Sequence, residues 1–140
     1  MIVLDTNVLS ALMQAQPDPL VVAWLDAQPV ESVWITSITL FEARYGLELL
    51  PAGKRKQQLL DQFAQLVEDD LENRVLGMDA LAAHEAAALA AVRKAQGTPV
   101  DMRDTFIAGI VQARRATLAT RNVRHFSDLT VPVINPWEAR

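Results

Sequence analysis

The sequence predicts an α/β fold: a three-layer α/β/α sandwich around a central parallel sheet of four to five strands. Three observations carry this expectation. Short apolar runs alternate with longer stretches of helical periodicity along the whole chain, which is the order of successive β-α-β units. The runs are unbroken rather than alternating with polar residues, as befits strands covered on both faces. A chain of 140 residues with 51% hydrophobic composition is sized for one continuous core, so residues 1–140 are expected to form a single domain.

Ile2, Val3 and Leu4 form the first run and stop at Asp5, Thr6 and Asn7, three residues that cap helices and end strands. This strand is expected at the centre of the sheet. Residues 8–13 begin a helix that Pro17 and Pro19 break, and residues 20–27 begin another with Val21, Trp24 and Leu25 on one face. Residues 33–36 are the second strand. Ser37 is expected to cap the next helix, whose apolar face repeats at Ile38, Phe41, Tyr45 and Leu49 until Pro51 and Gly53 stop it. Residues 54–69 repeat the pattern with Leu59, Leu60, Phe63, Leu66 and Val67, so the two helices should form an antiparallel hairpin. Residues 74–77 are the third strand. An alanine-rich helix over 79–96 ends at Gly97 and Pro99. Asp101 caps a last helix through Phe106, Ile107, Ile110 and Val111 to about Arg115, before a fourth strand at 117–120. A fifth, at 131–134, belongs at an edge, where Pro132 is tolerated.

The net charge of −4 and pI near 5.1 exclude nucleic-acid binding through an overall basic surface, so any RNA contact must be local. With no cysteine, disulfides, thiolate nucleophiles and cysteine-built zinc sites are excluded, in keeping with a reducing cytoplasm. The first residues lack a basic segment and carry Asp5 within the apolar stretch, unlike a signal peptide, and no run approaches the roughly 18 apolar residues of a membrane span. A soluble, cytoplasmic protein with no membrane partner is expected.

Three acids stand where this architecture gathers them. Asp5 ends the first strand, and ligands of open parallel sheets sit beyond the carboxyl ends of the strands. Glu42 lies one turn into the helix after the second strand, and Asp104 in the first turn of the helix capped by Asp101. Carboxylates brought within about 4–6 Å repel unless a cation or proton intervenes, so such a cluster implies Mg²⁺, or Mn²⁺ as a substitute, and metal-assisted phosphodiester hydrolysis. Each acid has a plainer reading. Asp5 can cap the first helix, although a charge directly after a buried strand is costly enough to favour function. Asp104 is also welcome as an ordinary first-turn acid. Glu42 alone would be a solvated helix residue, but Phe41 and Tyr45 place it at the edge of a buried face.

The strings VLDTNVLSAL, SITLFEARYG around Glu42, DTFIAGI at Asp104, and LATRNVRHF followed by VPVINPW together resemble the PIN domain. Within it they resemble the VapC-type toxins of bacterial toxin-antitoxin pairs, including the FitB-like branch, in order over the whole chain. The resemblance implies a metal-dependent endoribonuclease in which Asp5, Glu42 and Asp104 are the metal-holding acidic triad. It implies that Thr6 and Thr120 are the hydroxyl residues that orient acid and water, and that Asn122 is a fourth site position. His125 stands where many relatives carry another Asp, which leaves it open as ligand, base or spectator. The implied partners are an RNA substrate, a cognate antitoxin whose basic C-terminal segment enters the acidic pocket, a second copy in a homodimer, and DNA only through the antitoxin complex.

Arg103, Arg121 and Arg124 flank the acids in sequence and are candidates for RNA phosphates; a solvated charge set is the plainer reading. Lys54, Arg55 and Lys56 open a helix whose dipole disfavours them, which suggests a solvated face or a partner contact. Trp24, Trp34 and Trp137 read as core or interface anchors, and His84 as a surface residue. A haloacid-dehalogenase-type phosphatase would need a second Asp where Asn7 stands, and a receiver domain an acid pair and a lysine that are absent. The remaining alternative is a PIN-fold binding module of weak catalysis that acts mainly through an antitoxin complex on operator DNA.

Overall fold

The computed structural model describes residues 1–138. Among these residues five strands, β1 (Ile2–Leu4), β2 (Val33–Thr36), β3 (Val75–Leu76), β4 (Thr117–Ala119) and β5 (Val133–Ile134), form one sheet in the order β3-β2-β1-β4-β5. Every pairing is parallel, with Val3 opposite both Trp34 and Leu118. The expected class is met: β1 is central, and β5, directly preceded by Pro132, is an edge. The chain steps outward from β1 to β3 and returns beside β1 as β4. The carboxyl ends of β1 and β4 therefore form the topological switch point, where open α/β sheets place their ligands.

Among the described residues, six α-helices complete the layers: α1 (Thr6–Leu12), α2 (Pro19–Asp26), α3 (Ser37–Glu48), α4 (Lys54–Gln65), α5 (Ala80–Ala95) and α6 (Met102–Arg114). One core, with Val3, Leu118 and Phe126, lies under α5 and α6. The other, with Leu4, Ile35, Val8, Val21 and Phe63, lies under α1, α2 and α4. Trp24, Trp34 and Trp137 all pack against these cores, as expected, and His84 is exposed. Among the described residues no helix is long and apolar enough to cross a membrane.

Several local expectations are corrected. Thr36, not Ser37, caps α3, accepting from the Thr39 N–H at 3.1 Å; the last strand residue itself turns the chain into the helix. The first helix starts at Thr6, two residues earlier than its apolar pattern, because Asp5 caps it directly. The helix expected through residue 69 is α only to Gln65 and continues as a wider π turn over Leu66–Asp70, where the Leu71 N–H reaches the Leu66 carbonyl. That turn brings Val67 and Leu71 both into the core.

The largest correction concerns α3. Of the face read as its apolar side, only Ile38 packs inward; Phe41, Tyr45 and Leu49 are 58, 51 and 67% exposed. The inner side is Thr39, Leu40, Ala43 and Leu47. Glu42 thus neighbours an open apolar face rather than a buried one. Lys56 in turn answers a dipole other than its own: its ammonium donates to the Glu48 carbonyl at the C-terminal end of α3, at 2.8 Å.

Candidate functional site

Asp5 leaves β1 at the switch point, 4% exposed. Its backbone N–H continues the sheet to the Ala119 carbonyl at 2.9 Å, while Oδ1 accepts from the Thr6 N–H at 2.8 Å. Oδ2 accepts from the Thr120 hydroxyl at 2.8 Å and from the Asn7 amide at 3.3 Å. The cap reading and the site reading of Asp5 therefore describe the same side chain. Burial pushes its carboxyl above the usual range. The bonds from Thr120 and Thr6 oppose that rise, and the charges of Asp104 and Glu42 add to it. The three predicted acids thus lie near enough at one edge of the sheet for Asp5 to feel both others.

Glu42 is half-buried; Oε1 accepts from the Thr6 hydroxyl at 2.8 Å, and Oε2 lies 3.4 Å from Arg103. The Thr6 hydroxyl is also 3.0 Å from that of Thr39. Asp104, in the first turn of α6 behind its cap Asp101, stands 3.1 Å from Nδ1 of the exposed His125. Thr120 is fully buried, and its oxygen also accepts from the Asn122 N–H at 3.0 Å. Asn122 itself is exposed, so only its main chain is tied into this network. Arg121 lies with its guanidinium 4.7 Å over the Trp137 ring, and its N–H donates to Asn7. Arg124 is exposed on the same segment.

The donor set of Asp5, Glu42 and Asp104 consists of oxygens alone, which suits a hard divalent cation such as Mg²⁺ or Mn²⁺. Asp5, whose charge burial disfavours, is further destabilised by its two acidic neighbours. Among the described residues, no three Asp, Glu or His side chains are drawn together at ion-holding distance. Glu42 is turned to Thr6 and Arg103, and Asp104 to His125. An ion held by all three would draw these side chains closer together than they stand here.

A PIN-domain family pattern matches residues 2–131. The chain belongs to the PIN-domain family. This PIN domain is 41% identical over 138 residues to the VapC ribonuclease Y4jK of Sinorhizobium fredii, covering 99% of both chains. It is 36% identical over 137 residues to toxin FitB of Neisseria gonorrhoeae, covering 98% of this chain and 99% of the relative. Its fold superposes on a chain of FitAB bound to an IR36 DNA fragment with a TM-score of 0.91 at 36% identity, covering 100% of this chain and 98% of that one.

Three residues of the site escape a reading by sequence. Asn7 reads there as part of a strand stop and as the lack of a second Asp, yet its side chain touches Asp5, Thr120 and the Arg121 main chain. Thr39 joins the Thr6 hydroxyl three residues before Glu42, the spacing of one helical face. Arg93 is buried on α5 in the stripe of Ala82, Ala86 and Leu89. A lone arginine continuing an alanine and leucine stripe is a signal that could have found it.

Proposed function

We propose that this PIN domain is a divalent-metal-dependent endoribonuclease, the toxin of a toxin-antitoxin pair, working in the cytoplasm with Mg²⁺ or, in its place, Mn²⁺. The observation that carries the reading is the buried Asp5 carboxylate, fixed by Thr120 and Thr6 at the switch point and destabilised by Glu42 and Asp104. Kinship with a VapC-type ribonuclease and with a toxin supports the same activity. Asp5, Glu42 and Asp104 would hold the ion. When bound, a divalent ion supplies positive charge at the phosphodiester and lowers the pKa of water beside it. Thr120 and Thr6 keep Asp5 and Glu42 in fixed orientations, Asn122 lines the fourth position, and Arg103, Arg121 and Arg124 would bind RNA phosphates by local charge.

The same negative pocket would receive a basic segment of the antitoxin. A groove of about 760 Å³ between α1, α3 and α4 leads to Glu42 past Met13, Leu47 and Leu59, and an amphipathic segment suits such a lining. DNA would be met only through that complex.

The purified parent is expected to cut single-stranded RNA in Mg²⁺ and to stop in excess chelator, with Mn²⁺ raising its melting temperature by mass action. Asp104→Asn should lose more than about 100-fold in rate while melting like the parent. Cleavage at full rate in chelator would remove the metal from the reading, and an unimpaired Asp104→Asn would remove that acid.

A further inference from the structure

Arg93 is 4% exposed, and its ion-pair partner is Asp128 rather than any of the three acids. Nε and Nη2 donate to the two carboxylate oxygens of Asp128 at 2.8 and 2.9 Å. Nη2 also donates to the main-chain carbonyl of His125 at 2.9 Å, and Nη1 to the Thr105 hydroxyl at 3.3 Å. The Thr105 hydroxyl in turn donates to the Asp101 carbonyl at 2.7 Å. Thr105 directly follows Asp104, so this one guanidinium grips both sides of the contact between Asp104 and His125 by their scaffolding.

Stability alone gives little reason for such an arrangement, because an ion pair between the buried Arg93 and the partly exposed Asp128 gains little over an apolar replacement. The rest of the buried stripe on α5 is Ala82, Ala86 and Leu89, and a Leu or Met would continue it. What the apolar alternative would lose is the planar fork, which fixes direction as well as distance.

We infer that Arg93 is a positioning residue. It clamps residues 122–128 to the first turn of α6 and so sets where His125, Asn122 and Arg124 stand relative to Asp104. The inference rests on the nuclease reading above for its kinetic arm only. Its effect on the site comes through the loop, and no contact of Arg93 with substrate or ion is required.

The test is Arg93→Lys, which keeps the charge but not the fork, and Arg93→Met with Asp128→Met, which keeps the filled space without charge. In metal-free protein, both variants are expected to shift the His125 ring resonances and the Asp104 and Asn122 amides while leaving those of α2 unmoved. With RNA, kcat should fall about tenfold or more and KM much less. His125→Ala should cost the parent rate but cost the Arg93→Lys protein almost nothing, since the two changes break one device. If Arg93→Lys does not fold, the Met pair carries the same three readouts. Unmoved His125 resonances in a folded variant, or losses that multiply between Arg93→Lys and His125→Ala, would overturn the clamp. A parent that cuts no RNA in Mg²⁺ would sink the nuclease reading, and the resonances would still decide the clamp.

Discussion

At the scale of single residues, the site is held by acids with opposed preferences. Burial and acidic neighbours raise the Asp5 carboxyl above its unfolded value near 3.9, so ionised Asp5 weakens the fold at neutral pH. The penalty is relieved as pH falls through the raised value and the group takes up a proton. Asp128 behaves oppositely. Arg93 holds its carboxyl below the usual range, so its contribution is present above the unfolded value and is lost as pH falls through the lowered one. Asp5→Asn keeps a residue able to cap α1 and removes the buried charge. It is expected to melt as high as the parent or a few degrees higher at pH 7 in chelator, with the difference closing as the pH approaches 4. Activity should fall by more than about 100-fold. A variant melting far below the parent at pH 7 would make Asp5 a structural residue first.

At the scale of elements, α5 and α6 cross at Gly109. A Cβ there would meet the Ala82 carbonyl oxygen at 2.6 Å and the Ala86 Cβ at 2.6 Å, atoms of a rigid neighbouring helix. Gly109→Ala is therefore expected to destabilise by about 1–3 kcal/mol, despite the better helix propensity of alanine. A thermal or urea melt checks this, and an unchanged midpoint would mean that the helices separate freely. The strands were legible because a run such as Ile2-Val3-Leu4 can only be buried on both faces. Asp5 and Asp104 were legible as candidates because their places follow from strand ends and caps. The face of α3 was not: Phe41, Tyr45 and Leu49 keep as good a helical spacing as Thr39, Ala43 and Leu47, and periodicity alone cannot say which stripe meets a core and which awaits a partner. The Arg93 clamp was hidden for another reason. Its partners lie 12, 32 and 35 positions away, and no local pattern encodes them.

At the scale of the molecule, the open stripe of α3 is the surface most in need of cover. Phe41 and Tyr45 stack with ring centroids 5.7 Å apart and planes at 5°, both more than half exposed. Such a patch fits the homodimer that the family resemblance implies. Phe41→Ser with Tyr45→Ser should sediment as a monomer where the parent sediments as a dimer, with a melting temperature little changed in the monomeric form. A parent that is already monomeric at high micromolar concentration would leave the stripe to another partner. The sheet order has a consequence in time as well as in space. Asp5 is made well before the rest of its site: the hydroxyl that fixes it belongs to Thr120, 115 positions later, and β1 is flanked on both sides only once β4 exists. A nascent chain therefore carries its first acid long before it owns a pocket, and closure waits on a contact of high sequence separation that forms slowly. Until β4 and Thr120 have been made, Asp5 stands without the neighbours that hold it, and no assembled centre exists for a substrate to meet.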